Sequence, residues 1–212
     1  KMQYLTKELF FPPVSQSNHD GILAIGGDLS VERLILAYKS GIFPLFEQGD
    51  PIMWWSPNPR MVLILDELII SKSMRNILNR NSFSVTFNQN FRDVISYCQK
   101  VKRDGQNGTW ITNEMIEAYC KLNELGIAKS VEVWLNDKLV GGLYGIDLGH
   151  VFCGESMFSK VSNASKVAFI TLVENLKIRK YKLIDCQVHN DHLESLGARE
   201  IEREEFMQIL TM

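Results

Sequence analysis

Leu183-Ile184-Asp185-Cys186-Gln187-Val188 is the stretch on which the reading of this chain turns. It reads as a buried strand, and a strand alternates its side chains with period two. Asp185 and Gln187 are therefore expected on one face, with Ile184, Cys186 and Val188 on the other. A carboxylate and an amide on a central strand are expensive unless they are satisfied. They either hold a neighbouring loop in place or carry chemistry.

The flanking sequence supplies the rest of a sheet. Ser130–Leu135 (SVEVWL) alternates with period two, and Asn136-Asp137 makes a turn. Leu139–Ile146 and Val151–Met157 follow as strands separated by Asp147-Leu148-Gly149. A helix is predicted from about Asn163 to Ile178. After the decisive strand come a short strand near Arg199–Ile201 and a terminal helix. Antiparallel strands followed by strand–helix–strand predict a mixed α+β fold with a mixed sheet.

Upstream, a short helix is expected around Ser73–Leu78, then a strand near Ser84–Phe87. Phe91, Val94, Ile95 and Cys98 share a helical face. Asp104-Gly105-Gln106-Asn107-Gly108 breaks that helix, and another runs from about Asn113 to Leu125. Nearer the start, Ser30 caps a helix carrying Leu34, Ile35 and Tyr38, which Gly41 ends and Pro44 prevents from continuing. Trp54-Trp55-Ser56-Pro57-Asn58-Pro59-Arg60 reads as an extended connector, because each proline disfavours helix at the residue before it. A boundary there divides the chain into residues 1–59 and 60–212.

The 212 residues are 45% apolar and 23% charged, ordinary for a globular protein. No apolar run approaches the roughly 20 residues that span a bilayer, so no membrane partner is expected. Lys1–Glu8 is mixed and polar, unlike a signal peptide. Cys98, Cys120, Cys153 and Cys186 form no CxxC pair, which fits a reduced cytoplasmic protein. Net charge is −2, so any grip on RNA has to come from a local patch. Lys72, Arg75 and Arg80 offer one such patch, although a solvated helix face explains them equally well.

Glu155 lies in Cys153-Gly154-Glu155-Ser156-Met157, near the end of a strand expected beside Asp185. The adjoining glycine permits close approach of a ligand backbone. Two acids and one amide at strand ends make a proton-handling, substrate-orienting site. Cys186, His189, Asp191 and His192 offer metal ligands within seven residues, but no second pair has zinc-like spacing, and Asn190 or Asp191 reads as a helix cap. No metal is expected. Neither is a cysteine nucleophile, since Cys186 faces away from Asp185 on a buried strand. Phosphate loops of the GxGxxG or GxxxxGK[ST] kind are absent. Among the aromatics, Trp110 follows a Gly-rich loop and precedes a helix, which suits a stacking platform for a base.

Taken together these strings resemble the leucyl/phenylalanyl-tRNA–protein transferases. The matching pieces run in order from Gly21–Leu29 (GILAIGGDL), Gly41-Ile42-Phe43-Pro44 and Trp54–Arg60 (WWSPNPR) through Gly108–Thr112 (GTWIT) and Val140–Gly145 (VGGLYG). Phe152–Ser159 (FCGESMFS), Asn163–Lys166 (NASK), Asp185-Cys186-Gln187 and Ser195–Ala198 (SLGA) complete them. The resemblance implies a small N-terminal domain and a C-terminal domain with the fold of the GNAT acyltransferases. It implies transfer of Leu or Phe, and Met weakly, from aminoacyl-tRNA to proteins that begin with Arg or Lys, marking them for N-end-rule degradation. It further implies that no cofactor is used, and a monomer is expected. By the same resemblance Asp185 and Gln187 form the relay that deprotonates the attacking amine, and Glu155 orients the substrate. Leu143, Met157, Leu172, Leu176 and Ile184 line the side-chain pocket, and Trp110 meets the terminal adenosine; on their charge alone, Lys72, Arg75 and Arg80 are the candidates for the tRNA backbone. Leu45 stands where many relatives carry Trp.

Two other readings compete. An acyl-CoA enzyme of the same fold requires a [QR]xxGx[GA] loop, which Ser159–Ala164 (SKVSNA) does not supply. A non-catalytic RNA- or peptide-binding module leaves Asp185, Gln187 and Glu155 as structural groups.

Overall fold

The computed structural model describes residues 2–101 and 109–212. The breaker Asp104–Gly108 lies outside the described residues. The strands are β1 (Gln3–Leu5), β2 (Ile22–Gly26), β3 (Phe43–Pro44), β4 (Met53–Trp55), β5 (Arg60–Ile64), β6 (Ser84–Phe87), β7 (Ala128–Leu135), β8 (Lys138–Asp147), β9 (Val151–Ser159), β10 (Leu183–Gln187) and β11 (Arg199–Ile201). The helices are α1 (Val31–Lys39), α2 (Lys72–Arg80), α3 (Phe91–Lys100), α4 (Asn113–Glu124), α5 (Ala164–Ile178), α6 (Asp191–Ser195) and α7 (Arg203–Leu210).

Two mixed sheets result. A small N-terminal sheet has the order β1-β2-β4-β3, and a seven-stranded sheet has the order β11-β5-β10-β9-β8-β7-β6. Within the larger sheet β9 and β10 run parallel, because α5 carries the chain across between them. The β7–β8 hairpin closes through Asn136 and Asp137, both at positive φ, which matches the right-handed twist of the flanking strands. Helix starts follow side-chain chemistry. Ser30 accepts from the Arg33 N–H at 3.3 Å, Ser71 from Met74 at 3.1 Å and Thr112 from Met115 at 3.2 Å.

The segment Trp54–Arg60 is less of a connector than its prolines suggest. Trp54 and Trp55 belong to β4, and Arg60 opens β5. β5 itself departs from expectation. It is a buried strand wedged between β10 and β11, and its run RMVLI carries no alternation that would announce a strand.

One face of the large sheet packs on α5 with Leu143, Phe152, Ile184 and Leu172 in its core. The opposite face is shared. Leu23, Phe43 and Trp54 of the N-terminal region join Val62, Leu183, Tyr119 and Phe206 in a single buried cluster.

Candidate active site

The site forms where β9 and β10 part. Their parallel pairing ends at Asp185 opposite Cys153. Beyond that point each strand is bulged. On β9, Gly154 pairs with Gly145 and Ser156 with Tyr144, so Glu155 is the extra residue. On β10, Asp185 pairs with Val62 and Gln187 with Met61, so Cys186 is the extra residue. Gln187 then adopts φ 69°, a left-handed conformation uncommon for a side-chain-bearing residue. Ile184 and Cys186 join the α5-side core while Asp185 and Gln187 turn to the side of Phe43 and Tyr38, so the period-two expectation for Asp185 and Gln187 survives the bulge. Their side chains reach different partners.

Asp185 turns to Arg60. The guanidinium Nε donates to Oδ1 at 2.9 Å and Nη2 to Oδ2 at 2.7 Å, a two-pronged ion pair with each residue 1% exposed. The Gln187 backbone N–H also donates to Asp185 Oδ1, at 2.9 Å. Gln187 sends its side-chain Nε2 to Glu155 Oε1 at 2.9 Å. Tyr38 of α1 donates its hydroxyl to the same oxygen at 2.6 Å, and Tyr119 of α4 in turn donates to Tyr38.

The hydrogen-bond partners of Glu155 are thus neutral donors. Burial pushes its pKa from 4.5 up to about 8; the hydrogen bonds from Tyr38 and Gln187 oppose that rise, and the nearby Asp185 charge adds to it. Burial likewise pushes the Tyr38 and Tyr119 hydroxyls well above their ordinary range. The Cys153 and Cys186 thiols are raised for the same reason, which suits inert packing groups.

A cavity of about 310 Å³ opens beside this network. Leu143, Met157, Leu172 and Ile184 line it, together with Trp110, Glu155, Asp185 and Gln187. Leu176 does not line it. One helical turn past Leu172, it sits in the core beneath, 1% exposed. Phe169, a turn nearer the start of α5, takes a place on the wall, and Phe152 takes another. Phe43 and Leu45 of the N-terminal region complete the lining, and Leu45 and Trp110 also border a second groove that continues from Glu155. Lys72, Arg75 and Arg80 lie exposed on α2, whose Met74 docks into the α5-side core, and none of the three lines the cavity.

The metal-like cluster also resolves. Asn190 accepts from the Leu193 N–H at 3.0 Å and caps α6. Among the described residues one group of potential ligands has its atoms within 4.8 Å of one another: His189, Asp191 and Glu194, all exposed. Cys186 and His192 are not part of it. The residues that sequence reasoning missed are Arg60, Tyr38 and Tyr119. Arg60 was hidden in a proline-rich string, and the two tyrosines sit at ordinary core positions of their helices.

Known proteins share this sequence across its length. Residues 62–211 match the family profile "Leucyl/phenylalanyl-tRNA protein transferase", and residues 27–58 match that family's N-terminal domain. The leucyl/phenylalanyl-tRNA–protein transferase of Flavobacterium johnsoniae is 72% identical over 209 residues, 99% of each chain. The protein of that name from Syntrophus aciditrophicus is 55% identical, covering 97% of this chain and 86% of the relative. Among solved structures, L-PGS from Bacillus licheniformis aligns with TM-score 0.43 and 16% identity, covering 79% of this chain and 54% of the other. A GCN5-related N-acetyltransferase from Kribbella flavida aligns with TM-score 0.36 and 8% identity, covering 78% and 59%.

Proposed function

This chain belongs to the leucyl/phenylalanyl-tRNA–protein transferase family, and from that premise we propose that it moves Leu or Phe, and Met weakly, from charged tRNA to the N-terminal Arg or Lys of acceptor proteins. The modified protein then carries an N-end-rule degradation signal. The observation that carries the reading is a largely apolar cavity with the Glu155–Gln187 pair in its wall.

The donor's aminoacyl side chain occupies the space among Leu143, Met157, Phe169, Leu172 and Ile184. Trp110 and Leu45 flank the mouth, where the terminal adenosine rests, and Lys72, Arg75 and Arg80 meet more distant tRNA phosphates. The acceptor's α-amine attacks the ester carbonyl, and a C–N bond forms. As the tetrahedral intermediate collapses, the C–O bond breaks and the ribose hydroxyl leaves. The amine gives up one proton and the ribose oxygen takes one, so the reaction needs no cofactor. Gln187 Nε2 is committed to Glu155, which leaves Gln187 Oε1 to accept a hydrogen bond from the amine. Glu155, poised about pH 8, can take up and return the proton in the working range. Asp185 stands behind Gln187 and holds its backbone. The protein works as a monomer in the cytoplasm.

Mass spectrometry of an Arg-initiated peptide, incubated with Leu-, Phe-, Met-, Ile- or Lys-charged tRNA, tests this reading. Leu and Phe should be added readily and Met weakly. An apolar wall cannot reject strongly by size, since one methylene is worth about 1–3 kcal/mol. A charged side chain without a partner is excluded by desolvation. Equal addition of Lys and Leu would remove these residues from the side-chain pocket.

A further inference from the structure

Arg60 is the best-satisfied charged side chain near the site. Its Nε and Nη2 hold both oxygens of Asp185, and its Nη1 donates to the Gly41 carbonyl at 3.0 Å. The rings of Phe43 and Phe206 lie 5.0 and 4.5 Å from its Cζ and exclude water. A well-packed apolar pair often stabilises a core as well as a buried ion pair does, so stability alone gives no reason for this one. Its geometry gives a reason. Gly41, Arg60, Asp185 and Gln187 form a continuous chain of hydrogen bonds from the N-terminal region to the left-handed residue whose amide meets Glu155.

We propose that Arg60 is a positioning residue for aminoacyl transfer: its two-pronged grip holds the Asp185 carboxylate in place, and through that carboxylate fixes the Gln187 amide against Glu155. The inference rests on the placement of Glu155 and Gln187 at the reacting centre. The groups facing Asp185 are Arg60 from β5, Glu155 and Cys153 from β9, and Cys186 on its own strand, while Arg203 of α7 acts on Arg60 from outside. Both thiols are buried and protonated, and Glu155 is mostly neutral at about pH 7. Arg60 is thus the counter-charge in direct contact with Asp185 among the described residues.

The test uses the full chain, Leu-charged tRNA and an Arg-initiated peptide, with folding checked by circular dichroism. Arg60→Lys, Arg60→Gln and the double variant Arg60→Gln/Asp185→Asn are compared with wild type for kcat, KM and pH profile. Arg60→Lys should keep KM for the charged tRNA and lose about 10–100-fold in kcat, the scale of a misplaced reacting group. In Arg60→Gln the buried Asp185 loses its counter-charge, so activity should fall further at about pH 6 than at about pH 8. The double variant removes both charges, yet the amide oxygen it introduces at position 185 can still accept from the Gln187 N–H. It should fold and recover activity relative to Arg60→Gln. Wild-type kcat and pH profile in Arg60→Gln would overturn the inference. So would a folded but inactive double variant, because the charge of Asp185 would then take part in the chemistry itself. If the single variants fail to fold, the double variant alone carries the decision. Absence of transfer by the wild type is a separate outcome and sinks the functional reading first.

Discussion

Two carboxylates stand on neighbouring strands at the point where those strands part, and the protein treats them in opposite ways. Asp185 on β10 is buried against a guanidinium that grips both its oxygens. Glu155 on β9 is hydrogen-bonded to neutral donors, Tyr38 and Gln187. The paired carboxylate is structurally committed, both its oxygens held by one guanidinium. An unpaired one in the same low-dielectric layer holds its proton to about pH 8 and can exchange it. Environment, not residue type, separates the two carboxylates.

The largest way to break that contrast is Asp185→Asn. It strands a buried guanidinium, which typically costs about 3–5 kcal/mol of stability. A denaturant titration should show this loss together with near-complete loss of transfer. An unchanged unfolding midpoint would mean that the ion pair contributes nothing to the fold.

Glu155→Gln should act the other way. Losing a proton-transfer group costs about 10²–10⁴ in rate, while the fold should gain at alkaline pH. The sign follows from linkage. Glu155 has a folded pKa above its ordinary 4.5, so its contribution is complete below about pH 4.5 and is lost as pH rises through about 8. Glu155→Gln should therefore show a flatter dependence of melting temperature on pH from about 5 to 9. An undiminished wild-type slope in the variant would show that Glu155 is not the group responsible.

Tyr38→Phe sharpens the comparison. The Tyr38 hydrogen bond lowers the pKa of Glu155, so its removal should raise that pKa further. The activity of the variant should then rise with pH later than that of the wild type. The acceptor amine titrates near about pH 8 in both proteins, which makes the shift between the two profiles diagnostic. Coincident profiles would take Glu155 out of the rate-determining proton transfer.

The smallest effects belong to the walls. Leu172→Trp should impair Phe transfer more than Leu transfer by filling the far end of the cavity, and competition between the two charged tRNAs measures it. Removing charge at Lys72 and Arg75 should weaken tRNA binding and flatten its salt dependence by roughly 0.7–0.9 per lost phosphate contact. Unaltered affinity would leave α2 as ordinary solvated surface.

Much of this arrangement was legible in the sequence because it follows from periodicity. The meander β7–β8–β9, the crossover helix α5 and the strands β6 and β11 emerge at or near their expected positions. The bulges were not legible. A bulge is one residue out of step in a partner strand that the local sequence does not show, and here the extra residues are Glu155 and Cys186, within the site. β5 escaped because a short apolar run has no period, and with it went Arg60, the partner that determines what Asp185 can do. Leu176 lies off the cavity for a simpler reason. A resemblance carries a residue to the right helix, but whether it meets the cavity depends on where the cavity ends.

The last helix, α7, ties the end of the chain to its beginning. Arg203 donates to the Ser56 carbonyl at 2.7 Å, and its backbone N–H donates to Asn58 Oδ1 at 2.9 Å, while Phe206 and Leu210 share one core with Leu23 and Trp54. Both ends are thereby fastened across the same apolar layer that Tyr38 and Tyr119 occupy. Melting should be cooperative, one calorimetric peak with no separate early transition for the N-terminal sheet. A fragment of residues 1–59 should remain unfolded alone, because the surface that completes its core comes from Tyr119, Phe206 and other residues far along the chain.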